Sequence, residues 1–212
     1  MGEYPMRLML SLLLCCLVLC PTLAVAREDV LFVVSFDMDH TGTSDRAVLL
    51  LVGQGRSDAA DPSKDFYQLG EGERADLLIF LNHGDGPLVL SKSPALRKDN
   101  VINRDELAFV IPPAVNIKGS LNIVSSNGFG NTLNTTETLT IVYRNGAFLV
   151  AGWAQDFYNS RDEVSSHCSV NYLAGKAVRR VNTGKDVKLK GVFKPVDLMA
   201  WITANQPAVC EE

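Results

Sequence analysis

Three aspartates fall within nine residues in the stretch Asp37-Met38-Asp39-His40-Thr41-Gly42-Thr43-Ser44-Asp45. Acids at relative positions 1, 3 and 9, with glycine at 6, suit a short calcium loop. A hard cation wants six to eight oxygens, and the glycine permits the bend that turns the carboxylates inward. Thr41 stands at position 5, where an acid would bind more strongly. Position 12 is Val48 instead of Glu, so the pattern is not that of an EF-hand. The expected ligand set is Asp37, Asp39, Thr41 and Asp45, with calcium as the cofactor. A second reading stays open beside it, in which the loop is a tight turn capped by its own aspartate side chains.

The elements around this loop read as β. Val30 to Phe36 precedes it and Ala47 to Val52 follows it. Both are rich in β-branched and aromatic residues and are expected to be buried on both faces. Gly53 to Gly72 reads as a long polar loop with one short helical turn. Ala75 to Leu81 and Pro87 to Leu90 flank Asn82-His83-Gly84-Asp85-Gly86, a hairpin with glycines where positive φ is needed. Leu107 to Ile111 is expected to end at Pro112-Pro113, and Leu121 to Val124 follows.

The second half alternates more cleanly. Thr136 to Tyr143 and Phe148 to Phe157 flank Arg144-Asn145-Gly146-Ala147, where Asn-Gly predicts a type I′ turn. Ser169 to Leu173, Ala177 to Val181 and Val187 to Phe193 continue at meander spacing. From Pro195 the spacing of Val196, Leu198, Met199 and Ile202 predicts a short amphipathic helix, ended by Pro207. The expected fold is mainly β, with antiparallel sheets and hairpins and a short C-terminal helix. It is a single domain over 27–212, with a possible division into a repeat-like part at 27–113 and a β-meander at 114–212.

The N-terminus sets the compartment. Arg7 gives a positive charge, Leu8 to Leu19 is almost wholly apolar, and Ala24-Val25-Ala26 offers small residues for a signal peptidase. Residues 1–26 are therefore expected to be a secretory signal peptide, with the mature chain starting at Arg27. The apolar run is too short for a good membrane span, so none is expected after cleavage. Cys15, Cys16 and Cys20 leave with that segment. Cys168 and Cys210 remain, 42 positions apart in an oxidising compartment, and read first as one disulfide. Such a closure is worth roughly 4 kcal/mol in the loop-entropy account.

Removing 26 of 212 residues leaves 186, enough for one ordinary domain. A net charge of −4 argues against nucleic-acid binding. The basic stretch from Lys176 to Lys194 reads as the solvated face of a hairpin. Catalytic signatures are largely missing. There is no G-x-S-x-G elbow and no phosphate-binding glycine loop, and Gly128-Phe129-Gly130 lacks the third glycine of a dinucleotide site. His40, His83 and His167 lack zinc spacing. Asp156, Asp162 and Glu163 read as solvated acids. Asn134-Thr135-Thr136 fits a glycosylation acceptor. Trp153, Phe157, Tyr158 and Tyr172 are aromatic enough for a carbohydrate or peptide groove, although aromatics on central hairpins are more often core.

Asp37, Asp39, Gly42 and Asp45, followed by the apolar run Ala47-Val48-Leu49-Leu50, resemble the calcium loop of FG-GAP and related propeller-type repeats, D-x-D-x-D-G-x-x-D. Leu78 to Gly86 is similar to the strand and Gly-Asp-Gly turn of the same repeat. Tyr143 to Gly152 and Ser169 to Lys176 resemble a segment of exported bacterial proteins of unknown function. The resemblance implies a propeller-blade-like N-terminal repeat with one degenerate calcium loop, and no established activity. The function expected is a non-catalytic binding or structural module, periplasmic or secreted, with an envelope or extracellular partner. The alternatives are an accessory or inhibitor subunit of a cell-envelope enzyme, or a hydrolase with dispersed catalytic residues.

Overall fold

The computed structural model describes residues 27–53, 66–82, 93–102, 109–128, 132–202 and 207–210. The expected signal peptide, most of the predicted polar loop after Gly53, and the Gly84–Gly86 turn with its returning strand lie outside them.

Strand order follows from where the apolar residues must go. β1 (Arg27–Phe36), β2 (Asp45–Gly53), β4 (Arg74–Phe80) and β5 (Leu96–Ile102) form a four-stranded antiparallel sheet in the order β1-β2-β4-β5. A larger sheet contains β3 (Tyr67–Gln68), β6 (Phe109–Val115), β7 (Leu121–Asn127), β8 (Leu133–Arg144), β9 (Ala147–Asn159), β10 (Val164–Asn171), β11 (Lys176–Val181), β12 (Val187–Leu189) and β13 (Val196–Asp197). Its order is β12-β11-β10-β9-β8-β7-β6-β3, with β13 paired to β9. Among the described residues neither sheet closes into a barrel, and every strand pairing is antiparallel. No helix among the described residues is long and apolar enough to cross a membrane.

Alternation along each strand sends one set of side chains inward. One core joins Leu49, Leu77 and Ile79 of the small sheet to Val110, Leu121, Ile141 and Val150 of the large one. Ala47 to Val52 is buried along its whole length, as expected for a central strand. β1 departs from expectation. It lies at the sheet edge, and Val30 and Val33 are about half exposed on the face opposite Phe36.

Asn145 and Gly146 both take positive φ, 52° and 79°, and join β8 to β9 through the expected two-residue turn. Pro112-Pro113 does not end its strand. β6 runs on to Val115, and the prolines fall at a register shift between Ile111 and Ala114. β3 reaches only Phe109 and Val110, so past that point β6 has no ladder partner on one side among the described residues, where missing amide donors are tolerated.

The C-terminal helix is also overturned. Val196 and Asp197 pair with Val150 and Leu149 of β9, where β10 has already run out at the Gly152–Asn171 pair. Open backbone groups on β9 thus recruit a strand. A 3-10 turn follows directly, Leu198–Ala200, with the Asp197 carboxylate accepting from Met199 N–H at 2.8 Å. Leu198 and Trp201 are buried, whereas Met199 and Ile202 are exposed. Cys168 and Cys210 form a disulfide that fastens a last 3-10 turn, Ala208–Cys210, to β10.

Candidate metal centre

Phe36 at the end of β1 pairs with Asp45 at the start of β2, so residues 37–44 must reverse the chain within one strand spacing. Met38 is buried in the common core and anchors the loop from below. Gly42 takes φ 81°, the bend its type permits, and His40 takes φ 61°. The backbone then folds around the carboxylates. Asp37 Oδ1 accepts from Thr41 N–H and Oδ2 from Gly42 N–H, each at 3.0 Å. Asp39 Oδ1 accepts from Thr41 N–H at 3.2 Å and from Thr41 Oγ1 at 2.8 Å.

Asp45 is fully buried. Its Oδ2 accepts from Met38 N–H at 2.7 Å and its Oδ1 from Asn82 N–H at 2.8 Å. The second bond reaches a residue just beyond β4, and Thr43 Oγ1 donates to Asn82 O. One carboxylate thereby ties the β1–β2 loop to the chain leaving β4. Burial pushes the Asp45 carboxyl above its usual range, and the Asp39 charge pushes the same way. The Asn82 and Met38 amides offset part of that. No cationic side chain among the described residues pairs with Asp45.

Asp37, Asp39 and Asp45 each present one oxygen within 4.8 Å of the others. Calcium–oxygen distances are about 2.4 Å, so two ligands on opposite sides of one ion lie about 4.8 Å apart. The three carboxylates are therefore close enough together to share one cation. All four residues picked out in the sequence meet in the loop, with Thr41 hydrogen-bonded to Asp39. Two supports had no local signal. Asn82 reaches Asp45 from 37 residues away, and Gly119 packs beneath the loop. A Cβ on Gly119 would sit 2.6 Å from Asp37 O and 2.9 Å from the His40 ring.

Other candidates separate. Cys168 is buried with its disulfide, while His167 points to the opposite face and meets Asp156, Nδ1 to Oδ1, at 2.8 Å. Asp162 accepts from Asn159 at 2.7 Å instead of pairing with Asp156, and Glu163 occupies the turn before β10 at φ 53°. Asn134 lies within β8, its Oδ1 accepting from Ser126 Oγ. Trp153 and Tyr172 belong to the core, and burial pushes the Tyr172 phenol up to about 12. Tyr158 is 48 % exposed. No family model, curated protein or solved structure matches this chain.

Proposed function

We propose that the chain is an exported, non-catalytic binding module whose acidic loop closes on a calcium ion. The observation that carries this reading is Asp45. It is a fully buried carboxylate with no cationic partner among the described residues, and two further carboxylates converge on it. A lone buried charge is costly unless something compensates it, and a bound cation would do so. All-oxygen donors suit a hard cation over a soft metal. Calcium bound there would clip β1, β2 and the end of β4 together.

The four antiparallel strands of the small sheet, with this loop between the first two, support reading that sheet as one blade-like unit. Export is supported by the pattern of residues 7–26 and by the Cys168–Cys210 bond, of a kind that persists in oxidising compartments.

The test is thermal melting with millimolar calcium and with chelator. Calcium binding only the folded form adds about 2.7 kcal/mol at a hundredfold excess over Kd. Asp39→Ala abolishes the difference. Equal melting temperatures in both buffers, with no heat of calcium binding by calorimetry, would overturn the calcium reading and leave a self-capped turn.

A further inference from the structure

The outward face of the large sheet is separate from the acidic loop. It carries two cavities, of about 490 and 260 Å³. The larger lies over Gly152 and Ala154 of β9 and Ser169 and Asn171 of β10. The smaller continues along the same strands over Asp156, Tyr158, His167 and Ser165. These residues alternate with core residues such as Trp153, Val170 and Cys168, so both cavities open on one face. From Gly152 to Tyr158 the strip runs six residues, about 20 Å at about 3.3 Å per residue.

We infer that this strip binds an anionic oligosaccharide. The inference rests on reading the chain as a binding module, and it gives that module a ligand. Charge is the first support. Lys118 and Arg144 line the larger cavity, and no carboxylate does. Neither side chain has an ion-pair partner among the described residues. Arg180 stands at the smaller cavity, 3.7 Å from Asp186. A guanidinium fork matches carboxylate or sulfate oxygens.

The floor is the second support. Gly152 and Ala154 are small, so the centre of the sheet is left low, and Thr140, Ser169 and Asn171 surround it with the donors and acceptors that sugar hydroxyls use. Ser120, only 4 % exposed, lines the same cavity, and its Oγ has no hydrogen-bond partner among the described residues. A buried hydroxyl is normally satisfied, so a hydroxyl-rich occupant of this cavity would complete it.

Shape is the third. A strip this long suits a chain of several sugars, and the exposed Tyr158 ring offers a surface for the apolar side of one. An acidic peptide fits less well, because β9 and β10 spend their backbone groups on each other and offer no edge for strand addition at this face.

The test is titration calorimetry of the disulfide-intact protein with tetragalacturonate, a carrageenan tetrasaccharide, neutral maltotetraose and hexaglutamate. At least one anionic saccharide should bind, more tightly than maltotetraose and more weakly as salt rises. Arg144→Gln should weaken that binding roughly tenfold or more, the loss of one charge-assisted contact. Ala154→Phe should fill the floor and abolish it. Arg161→Gln, in the β9–β10 turn and lining neither cavity, should leave it unchanged. Circular dichroism and an intact disulfide confirm that each variant is folded. No binding of either anionic saccharide, or binding that both trough variants leave intact, overturns the site. Equal binding of hexaglutamate overturns the saccharide class. Shortened saccharide products, seen by chromatography after incubation, would keep the site and overturn the non-catalytic reading instead.

Discussion

Asp45 and Asp76 are the same residue type, both fully buried in the small sheet, and their carboxyls shift in opposite directions. Asp76 points to the outward face, opposite Leu50 in register. Its Oδ1 accepts from Arg74 Nε at 3.0 Å and Asn100 N–H at 2.8 Å, and its Oδ2 from Arg97 at 2.8 Å. Arg97 also holds Glu28 and Asp99. Burial alone would raise the Asp76 carboxyl. The Arg74 hydrogen bond, the Asn100 amide and Arg97 outweigh it, and the net shift is downward. Asp45 has amide donors but no guanidinium, and burial wins. A buried carboxylate is thus settled at one site by cations from its own strand and the next. At the other, no cation among the described residues meets it.

Asp76→Ala gives the largest expected effect. Breaking a buried ion pair costs about 3–5 kcal/mol when the remaining charge stays buried. Arg74 and Arg97 keep 45 % and 37 % of their side-chain surface in solvent, which screens them. The loss should therefore be nearer 2–3 kcal/mol by urea unfolding, and equal with and without calcium. A loss that calcium rescued would mean that the two sites are not independent.

Asp45→Asn should cost less, about 1–3 kcal/mol in chelator, because the amide nitrogen cannot accept from Met38 or Asn82 and strands one buried donor. It should also remove the calcium-dependent rise in melting temperature. If the variant keeps that rise, Asp45 holds the loop without holding the ion.

The smallest effect is on pH dependence, measured in chelator as the stability difference between wild type and each variant. The raised Asp45 carboxyl contributes stability that is fully present below the ordinary aspartate value of about 4. That stability is lost as pH rises through the higher folded value. The lowered Asp76 carboxyl contributes stability above about 4 that is lost as pH falls through its folded value. The two difference curves should slope in opposite directions. Parallel slopes would mean that Asp45 is compensated after all.

Local chemistry was legible wherever a short stretch decided its own conformation. Asn145-Gly146 set both positive φ values of the β8–β9 turn, because few residue pairs accept them. Gly42 and three aspartates set the acidic loop in nine residues. Cys168 and Cys210, the two cysteines beyond the N-terminal apolar stretch, form one disulfide. The misreadings share a different cause. Pro112-Pro113 looked like a strand end because proline lacks an amide donor, yet that matters only where a neighbour needs the donor. Val196 to Ile202 had helical spacing, but the open edge of β9 claimed Val196 and Asp197 first.

The sequence by itself determined a mainly β chain, the bend of its acidic loop and the pairing of its cysteines, since each depends on residues close along the chain or on simple elimination. Tertiary structure alone decided that Asp76 meets Arg97 across β4 and β5, that Asn82 reaches Asp45, and that Gly119 lies beneath His40. It also decided that Gly152, Ala154 and Ser169 form the floor of one trough. Those neighbours are set by strand register, and register follows from which face of each strand finds the common core.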